Sequence, residues 1–564
     1  MEKVWLKHYQ PGVPQVIDPA HYTSINHLFE EACQNFPNRP AFSNMNKTLT
    51  FKMLEEKSLA FASYLQNVLN LKKGERVALM MPNILQYPVA LLGILQAGLI
   101  AVNVNPLYTP RELEHQLLDS GAETIVILAN FATTLQQVLS QVNLKHVLVT
   151  EVGDLLSFPS SCVVNWVVKR FKKMVPPFQI PQHILFRDTL RVGKQYLFKK
   201  PIVQPNDIAF LQYTGGTTGI TKAAMLTHRN MVANIEQAYA WIKPVIQPGY
   251  EIVITALPLY HIFSLTANCL TFMRVGGLNV LVSNPRDIGG FIKILQRYRF
   301  TAITGVNTLF NALLNHPQFA GLDFSALRLA LGGGMSVQQA VAKRWKQVTG
   351  VPLIEAYGLT ESSPAVCINP LNLRDFSGSI GLPVSSTDIS IRDAAGLELN
   401  FNEAGELWVR GPQVMLGYWQ MSEETKGVLE GDWLKTGDIA IVNEQGFVRI
   451  VDRKKDMILV SGFNVYPNEV EDVIALLKEV AEVAVIGVSY PGGERVKAFI
   501  VKKDQSLTSE VIMEHCRREL TPYKVPKEIE FRKILPKSPV GKILRRVLKA
   551  EDTEVQKREN DSKD

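Results

Sequence analysis

The sequence predicts an α/β protein: a large N-terminal body, a β-rich subdomain after it, and a small C-terminal α/β unit. Three observations predict this. Short apolar runs alternate with helical periods from Pro40 to Val149, and again beyond residue 222, the rhythm of parallel sheets covered on both faces. From about Gly378 the pattern shortens to strands and turns (DISIRD, GELWVRG, GFVRIV). A charge run, DRKKD at 452–456, then separates this region from a patterned stretch of about a hundred residues.

Taken in order, AFASYLQNVL reads as helix, ERVALMMP as strand, VALLGILQAG as buried helix and IAVNV as strand. TPRELEHQLLDSG reads as a helix with Thr109 as N-cap and Pro110 at the first helical position, followed by the strand ETIVILAN. Beyond the central loop the strands are EIVITALP, LNVLVS, TAITGV, LRLALGGG and LIEAYG, separated by helices such as IGGFIKILQRYRF and VQQAVAKRWKQV. Past residue 456 come PNEVEDVIALLKE (helix), EVAVIGVS and VKAFIVKK (strands) and SLTSEVIMEHCRREL (helix). The boundaries expected are 1–452 for the body, 453–550 for the C-terminal unit and 551–564 for a disordered polar tail.

With 564 residues the chain exceeds one core, and 46% apolar with 20% charged residues is ordinary for a soluble α/β protein. The net charge of +7 suits anionic small molecules or an acidic membrane surface and is too diffuse for nucleic acid. Five scattered cysteines (33, 162, 269, 367, 516) in no metal-like spacing fit free thiols in a reducing compartment, and MEKVWLKHYQPG has no apolar signal core, so the expected location is cytoplasmic. Val77 to Pro110 and Ile252 to Met273 lack charges, but Pro82, Pro88, Pro258 and His261 interrupt them, which favours buried core over a membrane span. VVNWVVKRFKKMVPPF is different. It sets Trp, Phe and Val beside Lys169, Arg170, Lys172 and Lys173, and reads either as a solvated surface helix or as a peripheral contact with an anionic membrane.

The chemistry centres on LQYTGGTTGITKAAMLTHRN, 211–230, read as a strand, a Gly/Thr loop and a helix after His228. Gly215, Gly216 and Gly219 let backbone N–H groups approach an anion, while Thr214, Thr217, Thr218, Thr221 and Lys222 add hydroxyls and a positive charge: a polyphosphate cradle. No Gly-Lys pair closes the loop, which disfavours a kinase-type P-loop.

Five motifs stand in order: YTGGTTGITK (213–222), YGLTE (357–361), WLKTGD (433–438), DRKKDMILVSGFNVYP (452–467) and LPKSPVGKILRR (535–546). In this order and spacing the chain resembles the adenylate-forming acyl-CoA synthetase superfamily. PLYHIFSLTANCL, GVNTLFNALLN, LGGGMSVQQAVA, VMLGYW and VSGFNVYPNEVEDV look specifically like bacterial long-chain fatty-acid–CoA ligases. The resemblance implies a body of two α/β layers plus a β-rich subdomain, and a small mobile C-terminal α+β lid. It implies a ligase that converts a fatty acid and Mg·ATP to acyl-AMP and pyrophosphate, then with coenzyme A to acyl-CoA and AMP. This is the first step of fatty-acid degradation or lipid synthesis.

Residue by residue, the resemblance implies Lys542, Glu361, His261 and Lys222 as catalytic groups, and Thr214 with Glu361 as magnesium ligands. Tyr213, Thr214, Gly215, Gly216, Thr217, Thr218 and Gly219 would surround the phosphates; Gly332, Gly333, Gly334, Glu355, Tyr357, Gly358 and Thr360 the adenosine, with Tyr357 stacked on adenine. Asp438 would accept the ribose hydroxyls beside Arg453, Gly462 would meet the pantetheine of coenzyme A, and Lys455 would be the hinge of the lid. Two departures stand out: Ala223 and Ala224 follow Lys222 where Gly is usual, and Gly215 replaces a commoner Ser or Thr.

Competing readings are weaker. PLYHIFSLTANCLTFM has no acid for an amino-acid substrate, no carrier segment follows, and nothing supports oxygen chemistry. A non-catalytic lipid-binding protein on the same fold would be expected to lack Glu361, Asp438 or Lys542. Acyl chain length depends on the packing of residues such as Val306, Leu309 and Phe310, which keeps medium-chain or coumarate-like acids as the alternative; a homodimer is left open.

Overall fold

The structure is a computed structural model that describes residues 2–214, 221–460, 463–490, 493–538 and 541–561. Two large sheets form the body. The first has seven strands in the order Ile184–Leu185, His146–Thr150, Thr124–Leu128, Arg76–Met80, Ile100–Asn103, Ile208–Thr214, Lys222–Thr227, parallel except for the last. The second has nine, with a parallel centre from Leu353–Gly358 through Leu329–Gly332, Ala302–Gly305, Ile252–Thr255 and Leu278–Leu281 to Pro40–Asn44, and antiparallel strands at both edges.

The helix Gln86–Gln96 is buried along its whole length in the core against these sheets. That is why its sequence is apolar on every face, the pattern that otherwise suggests a membrane span. Among the described residues no helix is long and apolar enough to cross a membrane. Its Tyr87 hydroxyl donates to Asn103 Oδ1 at 2.7 Å and Leu259 O at 2.9 Å. Asn103 in turn donates to Gln212 Oε1, and Gln212 to Tyr260 O. This buried polar chain ties the end of the first sheet to the loop that bears His261, and so fixes one wall of the site.

The β-rich subdomain is an antiparallel sheet of Asp388–Arg392, Gly405–Arg410, Trp433–Val442, Leu429–Glu430 and Val448–Arg453. The C-terminal unit packs the strands Val480–Tyr490, Gly493–Lys502 and Glu528–Arg532 with the helices Pro467–Ile474 and Ser509–Glu519 around its own core, which includes Ile458, Val470, Val485 and Ile500.

Two expectations need correction. The helix begins at His228 as expected, but the stretch before it is not all loop: Lys222–Thr227 forms a strand antiparallel to Ile208–Thr214, with Thr214 opposite Lys222. Thr227 caps that helix with Asn230 as reciprocal partner, so its amide dipole is spent locally rather than on a ligand of the loop. The polar tail is also not structureless: residues Arg545–Asp561 form a helix. Leu548 is fully buried, and Asp552 and Glu551 pair with Lys497 and Arg532 of the lid sheet. Polarity marked this stretch as solvated; the ion pairs onto the sheet hold it.

Candidate active site

The second sheet delivers side chains to one end. Its strand Leu353–Gly358 presents Glu355 and Tyr357, and the turn Thr360–Ser362 that follows presents Thr360 and Glu361. Gly358 is forced by backbone crowding: a Cβ there would lie 1.9 Å from Pro364 O. Gly334 takes φ +76°, a conformation that favours glycine, at the end of the Gly332–Gly334 run. Every implied site residue among those described lines one cleft of about 1830 Å³: Tyr213, Thr214, Lys222, His261, Gly332, Gly333, Gly334, Glu355, Tyr357, Gly358, Thr360, Glu361, Asp438, Arg453, Lys455 and Lys542. Gly215, Gly216, Thr217, Thr218, Gly219 and Gly462 lie outside the described residues.

Asp438 is buried on Trp433–Val442, directly opposite Arg453 in the strand register. Arg453 Nε lies 3.0 Å from its Oδ1, and the Tyr357 hydroxyl donates to its Oδ2. Burial, with Asp438 next, raises the Tyr357 phenol far above its ordinary value, while Asp438 above all raises the Arg453 guanidinium. Arg453 therefore stays charged and the phenol stays a donor, fixing a carboxylate at the cleft wall. Glu361 is held likewise: the Tyr418 hydroxyl donates to Oε1 at 2.7 Å, and Lys222 Nζ stands 5.3 Å from the Tyr418 ring centre. Tyr418 lies in VMLGYW, a motif that carries the resemblance but in which no site residue was expected. The Tyr213 hydroxyl is committed to Asp119 on the helix Pro110–Ser120, so Tyr213 offers the cleft its ring rather than its hydroxyl.

His261 accepts from Phe263 N–H through Nδ1 at 3.3 Å, which leaves the proton on Nε2. Burial, then the charge of Lys542, lowers its pKa to about 4, so it is neutral at physiological pH. Glu355 shows the opposite: burial, then Asp472 of the lid, raises it to about 8, and its Oε2 has no hydrogen-bond partner among the described residues. A protonated Glu355 is a buried donor without an acceptor.

Lys542 reaches this cleft from the lid, on a turn closed by Ser538 N–H to Lys542 O at 2.7 Å and Lys542 N–H to Ser538 Oγ at 3.1 Å. Thr308 of the body donates to Gly541 O at 3.3 Å and seats the turn. Surrounding protein disfavours the Lys542 ammonium, and Arg453 repels it, lowering its pKa to about 8 although the side chain stays open to the solvent of the cleft.

The same cleft is also lined by side chains away from these charged groups. Asn234, Ala238 and Ile242, four residues apart on the helix His228–Ile242, line one wall; Thr266, Ala267, Thr271 and Phe272 face the lumen from the segment Ile262–Arg274. That segment widens into a π-helical turn at Leu265–Leu270. Its polar groups are spent within the wall: Asn234 on Gln237 and Ala365, Thr266 on Ser363 O, Thr271 on Thr266 O. Ile242, Phe272 and Leu329, which line the cleft, belong to one buried apolar cluster. Of the residues expected to set acyl chain length, Val306 lines the cleft, but Leu309 and Phe310 do not; Phe310 packs on Trp345 at 4.8 Å in the neighbouring core.

Residues 29–419 match the AMP-binding enzyme family and residues 469–542 the AMP-binding enzyme C-terminal domain. The chain belongs to the AMP-binding enzyme family. Within it, the chain is 60% identical to the long-chain-fatty-acid–CoA ligase of Yersinia pestis, over 98% of this chain and 99% of that protein. It is 59% identical to the protein of that name from Escherichia coli O157:H7, over 98% of each. Among solved structures, the anthranilate CoA ligase AuaEII in complex with anthranoyl-AMP superposes with a TM-score of 0.85 at 25% identity, covering 96% of this chain and all of that one.

Proposed function

We propose that this chain is an ATP-dependent, AMP-forming long-chain fatty-acid–CoA ligase. The observation that supports it most is the single cleft, whose lining combines the charged groups Glu361, Asp438, Arg453 and Lys542 with apolar side chains such as Ala238, Ile242, Ala267 and Phe272. Relatives of that name at 59–60% identity over nearly the full length support the same reading.

The fatty carboxylate oxygen attacks the α-phosphorus of ATP, the bond to the bridging oxygen breaks, and pyrophosphate leaves. The coenzyme A sulfur then attacks the acyl carbon, its proton passes to solvent, and AMP leaves. The protein's task in the first step is placement and charge compensation. Lys542 and Lys222 are the cations beside the phosphates, with Thr214, Gly215, Gly216, Thr217, Thr218 and Gly219. Tyr357 flanks adenine with Gly332, Gly333, Gly334, Glu355, Gly358 and Thr360. Asp438 is pre-oriented by Arg453 for the ribose hydroxyls. Neutral His261, with a proton on Nε2, orients the acyl carboxylate.

Glu361 and Thr214 fit a magnesium ion: both are hard oxygen donors, Tyr418 occupies only one oxygen of Glu361, and magnesium typically takes one or two carboxylates plus substrate phosphates. Bound there, magnesium would neutralise phosphate charge. Lys455 is the hinge on which the lid exchanges Lys542 for the segment around Gly462, which meets the pantetheine. The protein acts in the cytoplasm, touching the anionic face of a membrane through residues 158–174, and its acyl-CoA enters fatty-acid degradation or lipid synthesis.

The deciding experiment is AMP release with ATP, magnesium and coenzyme A across saturated acids of increasing length, with coumarate included. We expect a maximum at long chains. A preference for coumarate or short acids would overturn the substrate, and no AMP with any acid the activity.

A further inference from the structure

A buried ionic node joins body, hinge and lid behind Lys542. Arg545, three residues on from Lys542, places Nη2 2.8 Å and Nε 3.1 Å from the two oxygens of Glu471, and Nη2 2.5 Å from Asn468 Oδ1. Its Nη1 lies 3.4 Å from Asp452 Oδ1 and 3.4 Å from Asp456 Oδ2. These partners differ in how they are carried. Glu471 and Asn468 sit on the lid helix Pro467–Ile474, and Asp456 follows Lys455, so all three travel with the lid. Asp452 belongs to the body: it lies on the strand Val448–Arg453, opposite Ile439 in the register.

Asp452 is fully buried and accepts three times, from Arg453 N–H at 2.7 Å, from Asn468 N–H at 2.9 Å and from Arg545. Two of these donors come from the lid. Any rotation about Lys455 withdraws both and leaves the carboxylate with Arg453 N–H alone of its three donors, so the docked arrangement is favoured by the two bonds that undocking breaks. Arg545, by contrast, keeps Glu471 and Asn468 wherever the lid goes.

We propose that Asp452 and Arg545 form a state-specific latch that holds the lid in the arrangement placing Lys542 in the cleft, and so biases the enzyme toward acyl-AMP formation. Both are positioning residues that act through Lys542. This inference rests on the two-step reading and on Lys455 as the hinge. The latch differs from the Thr308–Gly541 contact, which seats the turn itself: Asp452 acts at the pivot, where a single charge can weight the whole rotation.

The test is Asp452→Asn, which removes the charge while keeping the shape, measured in separated half-reactions on the full-length chain. Pyrophosphate release from ATP and palmitate without coenzyme A should slow about tenfold, the factor expected for one charge-assisted bond. AMP release from supplied palmitoyl-AMP plus coenzyme A should stay at the wild-type rate or rise. Two half-reactions falling together would mark Asp452 as merely structural and overturn the latch, as would two unchanged rates. Energy transfer between dyes on Cys162, the one exposed cysteine of the described residues, and on Gln505→Cys of the lid gives a second readout. The docked fraction should fall in Asp452→Asn; an unchanged fraction would overturn the latch even if rates moved. Failure of the underlying reading looks different, because wild-type protein would then form no palmitoyl-AMP.

Discussion

Lys542 combines position with an unusual charge state. An ordinary lysine ammonium titrates near 10.5; here partial loss of hydration against the surrounding protein, then repulsion by Arg453, bring it down to about 8. The group is therefore charged below that value and neutral between about 8 and 10.5, where a free lysine would still be charged. If its charge offsets the developing phosphate charge, kcat/KM for pyrophosphate release without coenzyme A must fall as pH rises through about 8, approaching tenfold per unit. We expect Lys542→Ala to lower this half-reaction roughly a hundredfold or more and to remove the alkaline limb, while transfer from supplied acyl-AMP is spared. A limb that survives the substitution would assign it to another group. Lys542 was legible because the resemblance assigns a role to that one position of its motif, whereas neighbouring motif positions carry no role in the sequence itself. Tyr418, Asp452 and Arg545 were not, since their partners lie 57, 93 and 93 residues away and only folding reveals them.

At the level of elements, strand–helix alternation was readable because apolar periodicity differs between the two. Gln86–Gln96 was separable from a membrane span by its polar and proline punctuation, and its complete burial bears this out. The strand Lys222–Thr227 was missed, since KAAMLT is short, apolar and without alternation, and only pairing with Ile208–Thr214 defines it. The basic segment is an element whose apolar face has no partner: Phe158, Trp166 and Phe171 are 84%, 61% and 77% exposed, beside exposed Lys169, Arg170, Lys172 and Lys173. Aromatic side chains left in water next to four cations match an anionic bilayer surface, where each basic residue contributes about 1 kcal/mol. Vesicles of anionic lipid should bind the protein in a salt-sensitive manner, and the quadruple change to Gln should weaken binding by up to about a thousandfold. Equal binding by both proteins, or none by the wild type, would leave the segment a solvated helix.

At the scale of the whole molecule, we propose that one cleft serves two reactions through movement of the lid. In this structure the lid is docked through Thr308 to Gly541, Asn311 to Ala481 O at 3.5 Å, and the Asp452–Arg545 node. Lys455 lies within the turn closed by Asp456 N–H to Arg453 O at 2.9 Å, immediately after the last strand of the body. Everything beyond it has its own apolar core, so it can rotate as a unit. The charge run at 452–456 pointed to a division here; it could not indicate which arrangement is the stable one, because that depends on ionic contacts between segments. A reversible cross-link separates the two roles of the lid. Asn311→Cys and Ala481→Cys, with Cys162→Ser to remove the other exposed thiol, oxidised with a short bifunctional thiosulfonate that bridges the two thiols through disulfides, should pin the docked state. Oxidised protein should then release one pyrophosphate per chain from ATP and a long-chain acid and stop, with acyl-AMP retained after coenzyme A is added. Reduction should restore acyl-CoA formation at the uncross-linked rate. If the oxidised protein turned over coenzyme A normally, both half-reactions would run in the docked arrangement, and rotation about Lys455 would have no part in the cycle.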